Sequence, residues 1–229
     1  MNDDLFDIVL KKAILKQDVY AKTFDGFKIF KDALQNITNE FKKKLPPDEN
    51  RITFEFRDKG IFEAELKFAG DILIFMMHTN IFEFSRNHEI MRDPYIKEDI
   101  SRSYCGIINI YNFLADSFKY NRENDIGYLI GRIFINIDNH YYIEGKKELG
   151  LIYNNIATNV LTPEAVKSIV EKAILYTSNF DLLTPPYDEV KEVSVFDMRS
   201  SIDNMRLKTG KRLGFKFQAD MEAENTNFR

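Results

Sequence analysis

IGYLIGRIFINIDNHYYIE, residues 126–144, is the stretch on which the fold turns. Two runs of alternating large residues flank a short polar Asp138-Asn139 pair, the pattern of two antiparallel strands joined by a tight turn. A two-residue turn would set Ile137 opposite His140, Ile135 opposite Tyr142 and Ile133 opposite Glu144. Arg132, Phe134, Asn136, Tyr141 and Ile143 would then share the other side. Both sides carry large apolar groups, which a sheet with one wet face does not show. Either helices cover the sheet on both faces, or a second copy of the chain buries one of them.

Upstream, residues 52–56 alternate, and Asp58-Lys59-Gly60 has the composition of a hairpin connection. Phe62, Ala64, Leu66 and Phe68 then alternate with Glu63, Glu65 and Lys67. Gly70-Asp71 marks the next turn. Residues 72–77 (ILIFMM) are apolar on both faces, as in a central strand. They are expected to run on through His78 to Phe84 after a bend. Residues 85–103 break the pattern and read as a long loop with room for one helical turn, and loops of that length are often either functional or mobile. Strands resume at 106–118 and 126–137, with one more short strand expected at 149–155.

Helical patterns bracket the sheet. Leu5, Ile8, Val9, Ala13 and Ile14 form one stripe in a first helix over 3–17. A second helix is expected from an N-cap at Thr23, with Phe27, Phe30, Leu34, Ile37, Phe41 and Leu45 on one face, stopped by Pro46-Pro47. Thr162-Pro163-Glu164 opens a third, with Val166, Ile169, Val170, Ala173 and Ile174 along it. A weaker helical pattern covers 190–207. Helices, then strands, then helices spell an α+β fold: a mostly antiparallel β-meander of about six or seven strands, flanked by N-terminal and C-terminal helices. Residues 1–217 are expected to form a single domain, with 218–229 a polar, flexible tail.

Composition narrows the function. The 229 residues are 44% hydrophobic and 30% charged, so the chain is globular rather than disordered. Twenty Phe and eleven Tyr with no Trp imply a Phe-rich core. A net charge of −4 argues against a chain-wide footprint for nucleic acid. The single cysteine, Cys105, fits a reducing compartment, and no apolar run is long enough to span a bilayer. A cytoplasmic location without membrane contact is therefore expected.

Candidate chemistry is sparse. His78, His88 and His140 lack a metal-ligand spacing, and no signature of a P-loop, dinucleotide fold, nucleophile elbow or CxxC pair occurs. No metal and no cofactor are expected. His140, Tyr142 and Glu144 share one strand face, so His140 and Glu144 are the candidate acid–base pair. Arg132, Tyr142 and Lys146 are candidate binding residues beside them, and Lys146 with Lys147 would hold an anion. The structural alternative makes His140 a turn-flanking group, Tyr142 packing and Glu144 a solvated acid. Cys105 reads as a small buried hydrophobe. In residues 205–217, MRLKTGKRLGFKF, Lys211 and Arg212 are candidate phosphate or nucleic-acid contacts interleaved with aromatics.

The leading functional expectation is a non-enzymatic binding or regulatory domain that works as a homodimer, with a small molecule or protein as further partner. The alternatives are an enzyme using His140 and Glu144, and nucleic-acid contact through 205–217.

Overall fold

A computed structural model describes residues 3–49, 51–145, 155–180, 184, 186–196 and 198. It is α+β, with an antiparallel sheet of seven strands. The elements in chain order are α1 (Asp3–Lys44), β1 (Phe54–Gly60), β2 (Glu63–Phe68), β3 (Asp71–Met77), β4 (Phe82–Glu83), α2 (Pro94–Glu98), β5 (Tyr104–Leu114), α3 (Ala115–Lys119), β6 (Tyr128–Asn136), β7 (Tyr141–Gly145), α4 (Pro163–Ser178) and α5 (Tyr187–Val190). The sheet runs β1-β2-β3-β5-β6-β7, with β4 paired to the start of β5. Every pairing is antiparallel.

The two N-terminal helices expected from the sequence are one, 42 residues long and about 63 Å from end to end. Thr23 is not a cap. It lies inside the helix, fully buried, and its hydroxyl donates to the Val19 carbonyl 2.8 Å away. That bond satisfies the side chain without breaking the helix. Gly26, a residue that would ordinarily weaken a helix, sits where a Cβ would come within 2.8 Å of Leu161 and 3.0 Å of Ile135. Close packing, not a break, explains it.

One face of the sheet packs on α1 and α4. Phe54, Leu66, Leu73, Phe75, Ile108, Ile110, Ile133, Ile135, Tyr141 and Ile143 meet Phe27, Phe30 and Leu34 of α1 and Val166, Ile169 and Val170 of α4. The α4 cap is as expected: the Thr162 hydroxyl accepts from the Ala165 N–H, with Pro163 in the first turn.

The segment expected to be a long loop covers the other face. Residues 85–103 form α2 between two 3₁₀ turns, Glu89–Arg92 and Ile100–Ser103. Each turn has a side-chain cap, from His88, Asp93 and Asp99 in succession. Ile90 and Ile96 from this strap pack with Phe84, Cys105, Ile107, Phe134, Tyr142 and Ile156. The hairpin of β6 and β7 is therefore apolar on both sides, as read from the sequence, and both sides are buried within one protomer. It offers no bare face for a second copy.

Other sequence expectations need correction. Residues 78–84 do not extend β3; they turn away, and β4 pairs β5 beyond the end of β3. Residues 115–118 are not strand but belong to α3. The turn between β2 and β3 is Ala69-Gly70, both at positive φ, with Phe68 opposite Asp71. Residues 149–154, all of 199–229, Lys146, Lys147, Lys211 and Arg212 lie outside the described residues.

Candidate functional site

The β6–β7 register differs from the sequence reading by one residue. Ile135 pairs Tyr141, Phe134 pairs Tyr142, Ile133 pairs Ile143 and Arg132 pairs Glu144. The turn holds three residues rather than two. The Asn139 N–H donates to the Asn136 carbonyl, and Asn139 sits at φ 62, the left-handed residue a three-residue hairpin loop requires. Asn136 shapes the turn further: its Oδ1 accepts from the N–H groups of Asp138 and His140. A one-residue slip moves a whole strand face. Arg132, Phe134 and Asn136 therefore lie with His140, Tyr142 and Glu144, under the strap.

His140, Tyr142 and Glu144 do share a face, but the acid–base pair does not meet. His140 stacks on Tyr95 with ring centres 4.9 Å apart, and its Nδ1 lies 2.8 Å from the Ile156 carbonyl. Glu144 instead faces His88, whose Nε2 is 2.9 Å from Oε1, and pairs closely with Arg132. Burial pushes the Glu144 carboxyl up, but hydrogen bonds from Arg132 and His88 outweigh it, and the group is held below its ordinary value. Tyr142 donates to Glu89 at 2.7 Å. Burial, then that carboxylate, raises its phenol well above the ordinary range.

A second polar group holds the other end of the strap. The Tyr95 hydroxyl donates to Asp138 at 2.8 Å and accepts from the Asn136 amide at 3.0 Å. Arg102 Nε donates to Asp138 at 2.9 Å, and the guanidinium lies over the Tyr95 ring. Between the two groups, burial and then the Glu144 charge push the Cys105 thiol up to about 12, the state of an inert, packed cysteine. Chemically, the arrangement is a strap pinned at both ends. Arg132 and His88 already engage the Glu144 oxygens, and among the described residues no group of three or more His, Cys, Asp or Glu could hold a metal ion.

A different surface stands open. From Val19 onward α1 has a buried face, but earlier Leu5, Phe6, Ile8, Val9, Leu10 and Ile14 are 43–67% exposed. At about 100° per residue these side chains spread over most of the helix circumference, interrupted mainly by Asp4, Asp7, Lys11 and Asp18. An ordinary surface helix shows one apolar stripe. Lys12 reaches back over the Tyr104 ring and bonds its hydroxyl, which in turn donates to Glu83 at 2.5 Å. Below it, a groove runs between Lys16, Gln17 and Tyr20 of α1 and residues 79–82, with Phe82 exposed on its wall.

Sequence reasoning gave this segment a single stripe. Phe6, Leu10 and Leu15, which fall outside that stripe, were the available sign that more than one side is apolar. His88 carried no comparable signal, being 56 residues from Glu144. No helix among the described residues is long and apolar enough to cross a membrane. Compared with known protein families, with curated proteins and with solved structures, the chain matches none.

Proposed function

We propose that this chain is a non-enzymatic binding domain of the cytoplasm that works as a homodimer. One observation carries the reading: the first four turns of α1 leave six large apolar side chains in water, on a helix long enough to project from the sheet. Patches of this kind mark interaction surfaces. Support for an enzyme built on His140 and Glu144 is weaker, because each hydrogen-bonds a different partner.

Light scattering on the eluting full-length protein tests the reading. The expected mass is twice the 26.9 kDa of the chain, returning to 26.9 kDa when Val9 and Leu10 are both replaced by Asp. These positions are exposed and touch no core, so the variant is expected to fold. A monomer mass throughout, up to about 100 μM, would remove the proposal.

A further inference from the structure

We infer that His88 is a proton-sensitive cap on the strap: the neutral imidazole holds the strap's first turn, and a second proton on the ring releases that turn while the tie to β7 stays.

The two ring nitrogens have different tasks. Nδ1 accepts from the Ile90 N–H at 3.3 Å, which caps the 3₁₀ turn Glu89–Arg92. An accepting Nδ1 carries no hydrogen, so the hydrogen of the neutral ring sits on Nε2. From there it is donated to Glu144 Oε1, 2.9 Å away. A single tautomer serves both partners. His140 has the reverse assignment, because its Nδ1 faces the Ile156 carbonyl at 2.8 Å and must donate to it.

A second proton on His88 can only go to Nδ1. The ring then turns an N–H toward the N–H of Ile90, and the cap is lost. Contact with Glu144 survives, since both nitrogens of a charged imidazole donate. Burial opposes the Glu144 charge, but hydrogen bonds from Arg132 and His88 hold its carboxyl below the ordinary value. It is therefore a carboxylate throughout the range in which imidazoles titrate. The groups around the ring are Glu144 and Tyr142 of β7, Arg132 of β6 on the other Glu144 oxygen, and Glu89 in the strap. Glu89 accepts from Tyr142 at 2.7 Å. Cys105 of β5 stays a neutral thiol, pushed up to about 12 by burial and then by the Glu144 charge. The His88 side chain is 21% exposed, so protons reach it without unfolding. The turn it caps carries Ile90, which packs with Phe84, Phe134 and Tyr142. Acid thus loosens the cover over that part of the sheet.

Nitrogen NMR of the histidine rings and amide hydrogen exchange of the full chain test this. At about pH 8 the His88 hydrogen is expected on Nε2 and the His140 hydrogen on Nδ1. Between about pH 8 and pH 5, the protection of the Ile90 amide, relative to an unstructured chain, is expected to fall about fivefold as His88 titrates. His88→Asn keeps an acceptor at the Nδ1 position and cannot take the proton, so the Ile90 amide stays protected at both pH values. His88→Gln keeps a donor at Glu144 but no acceptor for Ile90, so the amide is unprotected at both. A hydrogen on Nδ1 of the neutral His88 ring overturns the inference in the unaltered protein, without recourse to a variant. So does a ring that takes no second proton by about pH 5, Ile90 protection that stays constant while His88 titrates, or a loss of protection that persists in His88→Asn.

Discussion

Residue by residue, the strongest constraints are backbone conformations and close approaches. Ala69 holds φ 45 and Gly70 φ 86 in the two-residue turn between β2 and β3. A side chain there strains the left-handed backbone, whereas glycine adopts it freely. Ala69→Gly is expected to raise stability by about 0.5–1 kcal/mol and Gly70→Ala to lower it by a similar amount, read from urea unfolding midpoints. Gly106 is constrained by space instead. A Cβ there would lie 2.0 Å from Thr23 Oγ1 and 2.6 Å from Thr23 Cβ. Gly106→Ala should therefore cost about 1–3 kcal/mol in the same assay. Adding Thr23→Ser should not rescue it, because the clashing Oγ1 and Cβ remain. The contact of Gly106 with Thr23 is not written in local sequence, since they belong to a strand and a helix 83 residues apart.

Among the elements, the strap over β5–β7 makes both sides of the hairpin apolar. Its cover depends on Ile96, fully buried between the sheet and the short helix it belongs to. Ile96→Ala is expected to cost about 2–5 kcal/mol and to loosen the strap locally. The readout is Cys105, whose reaction with a thiol reagent should accelerate at least about tenfold. An unchanged rate would mean that something other than the strap shields the thiol. At the strap's edge, Glu144 links β7 to His88 and Arg132. Its folded carboxyl is held below its ordinary 4.5, so the fold favours the charged form. The stability it adds is present above that ordinary value and is lost as pH falls through the lowered folded value. Glu144→Gln should flatten the fall in the urea midpoint as pH drops below that ordinary value. The strap itself was partly legible. Asp93 before Pro94, and Asp99 six residues on, are helix-start signals that the polar composition of 85–103 masks. The pairing of Glu144 with His88 was not legible, because only the folded strap brings them together.

At the scale of the whole molecule, α1 both builds the core and extends past it. From Val19 to Phe41 its buried face packs on the sheet and on α4, with Lys167 of α4 bonded to Glu40 at 2.9 Å. Before Val19 the same helix loses that support and leaves its apolar residues in water. The apolar surface left open to a partner thus lies on the first turns of α1 and not on the hairpin, which is covered. If those turns are held only in the dimer, dilution below the dissociation constant should loosen them before anything else. Hydrogen exchange of the amides of residues 5–14 is expected to speed up on dilution, while those of β3 and β5 do not change.

What the sequence determined by itself is the class of fold: alternation in 52–77 and 126–144 specifies antiparallel strands, and the 3–4 spacing of Phe27 to Phe41 and Val166 to Ile174 specifies the helices. Those signals are local and need only the pleat and the helical turn. The tertiary structure alone decided three further points. It joined the two N-terminal helices, because Thr23 bonds back to Val19 and Gly26 admits Leu161 and Ile135. It set the hairpin register, because Asn139 takes the left-handed conformation and Asn136 caps a three-residue turn. It gave His140 and Glu144 a partner each from a distant segment, Ile156 and His88, while the strand rise by itself already holds side chains four residues apart about 13 Å from one another.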